Sequence, residues 1–264
     1  MRETPVSNSV ALTVVITGGE CGIGRAVARL FARQGQSVFV GDVRLRDENR
    51  AEFARQGITS LLCDVRRERD VQTLIDLAVQ QTGRVDLLVN NAGVGLVKQI
   101  TEVTEEEWDR CLGTNLKGAF FGCKHAIPAM KRQGGGAIVN IASNAGLLPR
   151  THDPVYSISK QALVALTKSL ALCHAPDRIR VNAVCPGPVG ETDMVDNEIR
   201  ESSDPAAARR RLIAASPMAA AYGRMGNPEE IAQAVAYLAS EAAAMVTGTC
   251  LAIDGGKSLG VPPG

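Results

Sequence analysis

Short runs of β-branched and aliphatic residues alternate with longer amphipathic segments along this chain of 264 residues. The predicted strands cover residues 12–17, 37–41, 58–62, 85–89, 137–141, 179–184 and 249–253, and the predicted helices cover 23–34, 69–81, 108–132, 155–174 and 228–240. Such alternation predicts a parallel sheet with helices on both faces, and nearly continuous apolar strands are typical of strands buried on both sides. We therefore expect a doubly wound, Rossmann-type α/β fold with a seven-stranded parallel sheet.

No composition shift, repeat or low-complexity stretch divides the chain, so we predict one domain over residues 1–264. The least regular part is residues 187–226, which are charged and interrupted by proline and glycine. Long irregular insertions in compact domains commonly form lids or binding loops, and we predict a substrate lid here. Three consecutive arginines, Arg209–Arg211, fit either a solvated helix face or a phosphate site.

The charge balance of 29 basic and 28 acidic residues gives no general attraction to nucleic acid or to an acidic membrane. No apolar run is long enough to span a bilayer, and the N-terminal residues do not have the pattern of a signal peptide. Seven dispersed cysteines without a Cys-x-x-Cys pair indicate a reducing, cytoplasmic location. The three histidines have no metal-site spacing, so we expect no metal.

The stretch VVITGGECGIG contains Gly18, Gly22 and Gly24 between the first predicted strand and the first helix. Glycine allows a sharp turn and lets a pyrophosphate approach the backbone, and the helix N-terminus presents unpaired amides to the anion. A P-loop is excluded because Arg25 and Ala26 stand where Lys and Ser or Thr are required. The turn alone is a weak signal, but its place in the first βα unit favours a dinucleotide site.

Asp42 lies at the end of the second predicted strand, where an acid can accept hydrogen bonds from the adenosine ribose hydroxyls. It would repel a 2′-phosphate, which favours NAD over NADP, although Arg44 lies close by and Asp42 could also be a simple turn residue. Glu20 puts a negative charge within the glycine turn. We predict that its side chain faces away from the pyrophosphate, towards solvent, and mildly disfavours the additional phosphate of NADP.

Ser143 follows the apolar run AIVNIAS and is predicted at the carboxyl end of a central strand, where open α/β sheets bind ligands. Tyr156 and Lys160 are one helical turn apart, so their side chains share a face. A tyrosine with an ordinary pKa of about 10 is a poor base, but a neighbouring ammonium favours the phenolate. We therefore expect Lys160 to lower the pKa of Tyr156.

At this point the chain resembles the short-chain dehydrogenase/reductase family over nearly its whole length. The similarity is carried by TGGECGIG, NNAG, Asn115 in GTNLKGAFF, Ser143, the Tyr156/Lys160 pair, RVNAVCPG and TGTCLAIDGG, in family order. The resemblance implies that Tyr156 is the general acid–base, that Ser143 binds the substrate oxygen and that Lys160 also holds the nicotinamide ribose. It further implies that Asn115 anchors a water relay to Lys160.

The resemblance also implies a cofactor site. Its predicted members are Gly18, Cys21, Gly22, Ile23, Gly24, Asp42, Asp64, Val65, Asn91, Ala92, Gly93, Tyr156, Lys160, Pro186, Gly187, Val189 and Thr192. The family often has Pro-Gly-x-x-x-Thr after its sixth strand, whereas this chain reads PGPVGET, one residue longer, which displaces Thr192. Asn90 is interpreted as a hydrogen-bonding residue that joins strands.

Each of these assignments has a structural alternative: Ser143 could cap a strand end, Tyr156 and Lys160 could be an incidental pair, and Asn115 could cap a helix. His152 and Asp153 could face the substrate or be ordinary loop residues, and Cys21 and Cys185 are interpreted as small fillers. We expect a cytoplasmic, homotetrameric oxidoreductase that uses NAD to interconvert a small-molecule secondary alcohol and a ketone. The alternatives are an NADP-dependent reductase of the 3-oxoacyl-carrier type and a non-catalytic NAD-binding regulatory protein.

Overall fold

The computed structural model describes residues 11–260, which form seven β-strands in a single parallel sheet. The strands are β1 Thr13–Thr17, β2 Ser37–Asp42, β3 Ile58–Leu62, β4 Leu87–Asn90, β5 Gly136–Ile141, β6 Ile179–Pro186 and β7 Cys250–Ile253. Their order is β3-β2-β1-β4-β5-β6-β7, and every neighbouring pair is parallel. The predicted fold class is confirmed, and each predicted strand lies within two residues of an observed one. Residues 1–10 and 261–264, which the single-domain prediction includes, lie outside the described residues.

The same part of the chain contains ten α-helices, which cover both faces of the sheet. They are α1 Gly22–Arg33, α2 Asp47–Gln56, α3 Glu68–Thr82, α4 Glu105–Leu112, α5 Gly118–Gln133, α6 Pro154–His174, α7 Asp193–Glu201, α8 Pro205–Ala214, α9 Pro217–Tyr222 and α10 Pro228–Ala239. Within residues 11–260, no helix has the length and apolar character needed to cross a membrane.

Strand β1 shows how the sheet is buried on both sides. Val14 packs into the layer that contains α1 and α10, whereas Val15, pointing the opposite way, packs into the layer that contains α3 and α5. Both valines are fully buried. Burying an aliphatic side chain stabilises a fold by about 1.5–3 kcal/mol, so replacing either valine with a charged residue would disrupt one of the two layers.

The segment 187–226 is more regular than we expected from its sequence. It contains the helices α7, α8 and α9, and two of them begin with proline immediately after a potential N-cap residue, at Asp204–Pro205 and Ser216–Pro217. Proline at the first helical position is preorganised for a helix. The expectation of an irregular segment is therefore wrong, because these prolines start helices rather than interrupt them. Helix α2, whose few apolar residues give little periodicity, was also not predicted.

The predicted helix over 108–132 is continuous but contains a π-helical turn, Gly113–Lys117, between α4 and α5. Such turns are rare and appear frequently at functional sites. The turn contains Asn115 in its middle, so this residue does not cap a helix start.

The strand order reverses beside β1, because β2 and β4 pair with its two edges. In open α/β sheets, ligands bind outside the carboxyl ends of the strands at such a switch point. The loops that follow β1, β4, β5 and β6 meet at this edge, which is where the candidate site lies.

Candidate active site

The glycine turn connects β1 to α1 with two residues in the left-handed region, Gly18 (φ 67°) and Gly22 (φ 50°). The N-cap residue of α1, Cys21, makes no side-chain capping bond, and the first turn contains no acidic residue. The helix therefore presents its first amides and the positive end of its dipole to the cleft, as a bound pyrophosphate requires. These features fit a dinucleotide.

Gly24 has a different role, because it lies behind the turn. A Cβ at this position would lie 2.1 Å from the carbonyl oxygen of Gly18 and 2.5 Å from Nδ2 of Asn91. The same Nδ2 donates hydrogen bonds to the carbonyl oxygens of Thr17 (3.1 Å) and Gly18 (2.6 Å). Gly24 and Asn91 thus hold the shape of the turn from below.

A cleft of about 600 Å³ opens over this edge of the sheet. All predicted cofactor residues except Gly24 line the cleft. Ser143, from the predicted catalytic set, lines it as well. Other residues of the lining are Val43, Arg44, Arg46, Arg66, Val94, Arg110, Met194 and Asn197. Asn115 lies behind the lining. The structure therefore brings the predicted cofactor and catalytic residues together in one crevice, with Gly24 and Asn115 as supports.

The side chain of Glu20 does not line the cleft, but it is buried rather than oriented towards solvent, because it is only 2% exposed. Its carboxylate accepts hydrogen bonds from Nδ2 of Asn49 (2.7 Å) and from the backbone N–H of Arg46 (3.2 Å), at the start of α2. The backbone N–H of Glu20 donates to the Asp42 carboxylate (3.1 Å). These hydrogen bonds connect the glycine turn to the loop after β2. One of them comes from Asn49 in α2, a helix that the sequence pattern did not predict.

Asp42 lies at the carboxyl end of β2 and also accepts a weaker hydrogen bond from the backbone N–H of Arg44 (3.3 Å). Burial raises the pKa of its carboxyl group, and the charge of Glu20 acts in the same direction. Asp42 lines the cleft, whereas the Glu20 carboxylate lies behind it, hydrogen-bonded at the start of α2. Asp64, in the loop after β3, is held by a bidentate pair with Arg66, whose hydrogen bonds lower the pKa of Asp64.

Ser143, Tyr156 and Lys160 converge at the other end of the cleft, and all three are nearly fully buried. Ser143 lies two residues after the end of β5, and its hydroxyl oxygen accepts a hydrogen bond from the backbone N–H of Ala145 (3.1 Å). Lys160 Nζ lies 5.8 Å from the centre of the Tyr156 ring and donates to the carbonyl oxygen of Ile141 (2.9 Å). The phenol and the amine thus share one side of α6.

The charge state of this group differs from our expectation. Burial raises the pKa of Tyr156 above its ordinary value of 10.0, and the Ser143 hydroxyl and the Arg150 guanidinium oppose that shift only in part. Burial also lowers the pKa of Lys160 to about 8. For the protein chain alone, the predicted lowering of the Tyr156 pKa is therefore wrong, because the loss of solvent outweighs the neighbouring positive charge.

Asn115 anchors the loop after β4 from within the π-helical turn. Its Oδ1 accepts a hydrogen bond from the backbone N–H of Val94 (2.8 Å), and its Nδ2 donates to the Val94 carbonyl oxygen (3.0 Å) and to the Ser159 hydroxyl (3.0 Å). A Cβ on Gly93 would lie 3.4 Å from both Asn115 Oδ1 and Lys160 Nζ. Gly93 therefore has no side chain that would fill the space between the amide and the ammonium.

Thr192 is the N-cap of α7 despite its displacement in sequence, and it lies against the glycine turn. Its hydroxyl donates to the carbonyl oxygen of Val189 (2.8 Å), and a Cβ on Gly22 would lie 3.1 Å from its methyl carbon. The next residue, Asp193, forms an ion pair with Arg46 from the loop after β2. Sequence reasoning did not find this pair, which links the two sides of the cleft.

Arg150 was also missed. It lies in the connection between β5 and α6, with its guanidinium carbon 6.0 Å from the centre of the Tyr156 ring, and it pairs with Asp153 (Nη2 to Oδ2, 3.1 Å). Asp153 is 2% exposed, unlike an ordinary loop residue, whereas His152 is exposed. In the sequence, only the short distance along the chain from Arg150 and Asp153 to Tyr156 pointed to these two residues.

Three other predictions concern residues around the site. Asn90 donates from Nδ2 to Oδ1 of Asn140 on the neighbouring strand (2.8 Å), as its interpretation as a strand-joining residue requires. Arg209–Arg211 are exposed on α8, and none of them lines the cleft. Burial is the main cause that raises the pKa of the Cys21 thiol to about 11, so Cys21 is not a thiolate at neutral pH. Within residues 11–260, no three His, Cys, Asp or Glu side chains are grouped as metal ligands.

Comparisons with known proteins agree with this geometry. The family model described as enoyl-(acyl carrier protein) reductase matches residues 18–258. The chain is 38% identical to the 4-formylbenzenesulfonate dehydrogenase of Comamonas testosteroni, over 93% of this chain and 97% of that protein. It is 36% identical to glucose 1-dehydrogenase 2 of Bacillus subtilis, over 94% and 95%. Among solved structures, the ligand-free aldohexose dehydrogenase of Thermoplasma acidophilum superposes with a TM-score of 0.84 at 36% identity, covering 96% of each chain.

Proposed function

The chain belongs to the short-chain dehydrogenase/reductase family, and we propose that it uses NAD to interconvert a secondary alcohol and a ketone with Tyr156 as general acid–base. As a member of this family, the protein is an NAD(P)-dependent dehydrogenase that acts on CH–OH groups. The observation that carries the finer proposal is the convergence of Ser143, Tyr156 and Lys160 on the cleft that begins at the glycine turn.

The proposed roles follow from the contacts. In alcohol oxidation, Tyr156 removes the proton from the substrate hydroxyl, and in ketone reduction it returns that proton. Ser143 orients the substrate oxygen and stabilises the charge that develops on it. Lys160 keeps a positive charge beside the phenol, and Asn115 holds the loop next to Lys160 in place. When bound, NAD supplies the hydride acceptor.

Burial of Tyr156 predicts how the rates of oxidation and reduction depend on pH. Because burial raises the pKa of Tyr156, the neutral phenol predominates at neutral pH in the chain alone. The neutral phenol is the form that donates a proton in ketone reduction. Oxidation needs the phenolate, so we expect the oxidation rate to rise with pH on the alkaline side, whereas the reduction rate falls.

A preference for NAD over NADP is supported by Asp42, which lines the cleft, and by the buried carboxylate of Glu20 behind it. Asp42 is hydrogen-bonded to the Glu20 backbone N–H, and the Glu20 carboxylate is buried beside the same loop. A 2′-phosphate would bring roughly two further negative charges into this region. Both acids oppose it, so Glu20 adds to the effect of Asp42 even though it is not solvent-exposed.

We test the preference with Asp42→Ala and Glu20→Gln, using the ratio of kcat/KM for NADP and NAD. We expect Asp42→Ala to raise this ratio about 10–100-fold, as loss of 1.4–2.8 kcal/mol of repulsion implies, and Glu20→Gln to raise it less. Asp47→Asn, an exposed acid at the start of α2, is the matched control. An unchanged ratio in Asp42→Ala contradicts the assignment.

The activity itself is tested by following NADH absorbance with a panel of sugars, diols, hydroxy acids and cyclic alcohols. The relatives reported above are named for substrates as different as an aromatic sulfonate and glucose, so the panel has to be broad. Tyr156→Phe removes only the hydroxyl, and we expect it to abolish turnover while calorimetry shows retained NAD binding. Retained turnover in Tyr156→Phe refutes the role of Tyr156.

Three further properties are part of the proposal. The segment 187–226 is a lid, which is supported by Thr192, Asp193 and Met194 from α7 and its N-cap, all in the cleft wall. A homotetramer is supported by exposed apolar side chains such as Phe120 on α5 and Met245 before β7. A cytoplasmic location is supported by the cysteines, all seven of which are free thiols within residues 11–260. Size-exclusion chromatography with light scattering tests the tetramer.

A further inference from the structure

A group of charged side chains lies beside Tyr156 and has no part in the proton transfer proposed above. Arg150 and Asp153 come from the connection between β5 and α6, and Lys257 follows β7 in a short 3₁₀ turn. Glu198 comes from α7 in the proposed lid. These residues belong to three separate parts of the chain, and the charges of Arg150, Asp153 and Glu198 all act on Lys257.

Arg150 is held in a defined orientation. Its Nη2 lies 3.1 Å from Oδ2 of Asp153, and Oδ1 of Asp153 accepts a hydrogen bond from the Ser157 hydroxyl (3.2 Å). Because Asp153 is 2% exposed, its carboxylate has little freedom to move. The ion pair keeps the guanidinium near the Tyr156 ring, with its carbon 6.0 Å from the ring centre.

The pairing with Asp153 does not use all the donors of Arg150. Among the described residues, its Nε and Nη1 make no hydrogen bond, and the side chain remains one-third exposed (33%). A guanidinium has five N–H donors in a planar fork that matches a carboxylate. Arg150 can thus offer these donors to an anion beside the Tyr156 ring.

Lys257 supplies a second positive charge nearby. It is partly buried, and within residues 11–260 its ammonium group has no carboxylate within ion-pair distance. Burial is the largest cause that lowers the pKa of Lys257, and the charge of Arg150 acts in the same direction. An additional negative charge between the two cations would relieve both the desolvation and their mutual repulsion.

Starting from the proposed function, we propose that the substrate is a small hydroxy acid, whose carboxylate or sulfonate is bound by Arg150 and Lys257 while Tyr156 acts on its alcohol. Arg150 lies against the ring whose hydroxyl would remove the proton, so the anionic group and the carbinol carbon belong to one compact molecule. Asp153 is a positioning residue that orients Arg150. Glu198, near Lys257 and Asp153, opposes the anion.

The rival is a neutral polyhydroxy substrate, which would use Glu198 as an acceptor and the cations as donors. The two readings differ in the effect of Glu198→Gln. Removing this negative charge strengthens the binding of an anion, whereas it weakens the binding of a neutral polyol that needs the acceptor.

The experiment compares matched acids and primary amides as substrates with NAD: 3-hydroxybutyrate, mandelate and 4-hydroxycyclohexanecarboxylate, each with its amide. The measured quantity is the ratio of kcat/KM for acid and amide. In the parent protein we expect at least one acid to be preferred by about 10–100-fold, the range of a charge-assisted hydrogen bond. Arg150→Met and Lys257→Met reduce this ratio mainly through KM, and Glu198→Gln raises it.

Controls keep the test valid if one variant folds poorly. Arg150→Lys retains the charge without the fork, and Lys257→Met does not remove the partner of Asp153. Arg209→Met removes an exposed arginine on α8 and should leave the ratio unchanged. Asp153→Asn keeps a hydrogen-bonding group for Ser157 but weakens the hold on Arg150, so it lowers the acid-to-amide ratio through the KM of the acid.

A binding readout is independent of turnover. With NADH present, the three acids should raise the melting temperature of the parent protein more than their amides do, and this difference should disappear in Arg150→Met. The proposal is overturned if no acid exceeds its amide in either assay, or if the preference persists in both Arg150→Met and Lys257→Met. Failure of the proposed function is distinguishable, because then no alcohol, neutral or anionic, reduces NAD in a Tyr156-dependent manner.

Discussion

Burial of Lys160 beside Tyr156 should make the free energy of unfolding depend measurably on pH. Burial lowers the pKa of Lys160 from 10.5 to about 8 in the folded protein. Each pKa unit corresponds to about 1.4 kcal/mol, so holding this ammonium in the cleft at pH 7 costs about 3 kcal/mol relative to the unfolded chain.

The sign follows from proton linkage. Between pH 8 and 10.5 the unfolded chain binds the lysine proton more tightly than the folded protein does, so the free energy of unfolding rises with pH in this window. By pH 9.5 about 2 kcal/mol of the cost is regained. The cost is present in full below the folded-state pKa and disappears above the unfolded value.

The assay compares wild type with Lys160→Met by urea unfolding at pH 7 and 9.5, at one protein concentration. The substitution also leaves the Ile141 carbonyl oxygen without its donor (2.9 Å in the wild type), a penalty that does not depend on pH. We therefore expect the unfolding free energy of wild type to increase by about 2 kcal/mol relative to that of Lys160→Met when the pH is raised from 7 to 9.5. Lys168→Met, on the exposed side of the same helix, controls for removal of a lysine. A difference that is the same at both pH values refutes the argument.

Two substitutions of glycine test the packing around the site. Gly24→Ala places a Cβ 2.1 Å from the Gly18 carbonyl oxygen, so we expect NAD affinity measured by calorimetry to fall at least about tenfold; Gly226→Ala, whose Cβ would make only ordinary contacts, should bind NAD normally. Gly122→Ala places a Cβ 2.2 Å from Oδ1 of Asn90, and we expect it to lower the free energy of unfolding by about 1–3 kcal/mol in urea, as overpacking does. Wild-type stability of Gly122→Ala would mean that α5 can shift away from β4 without cost.

The strands of the sheet could be predicted because each one is marked by its own residues and by those next to it in sequence. Strand Thr13–Thr17 has an apolar centre, Val14–Ile16, all of its residues are buried, and Gly18 follows where the loop turns. The elements that were missed have small buried faces. Helix α2 buries only Asn49 and Phe53, and no residue of α7 is fully buried. Hydrophobic periodicity has little to detect in such helices.

The same distinction applies to the site. Tyr156 and Lys160 share a helix, and Ser143 follows a strand closely, so local spacing was sufficient to place them. Glu20 was misjudged because its partner Asn49 lies 29 residues away, on the unpredicted helix. The charge state of Tyr156 was misjudged for another reason: the depth of burial depends on all surrounding elements, and no short motif records it.

The ion pair between Arg46 and Asp193 joins segments that are 147 residues apart in sequence. One end belongs to the nucleotide side of the cleft and the other to the first helix of the proposed lid, so outward movement of that helix requires separation of two opposite charges at the protein surface. Dissolved salt weakens such surface attractions. We therefore expect higher ionic strength to speed dinucleotide exchange, a step that is often rate-limiting in enzymes with moving lids.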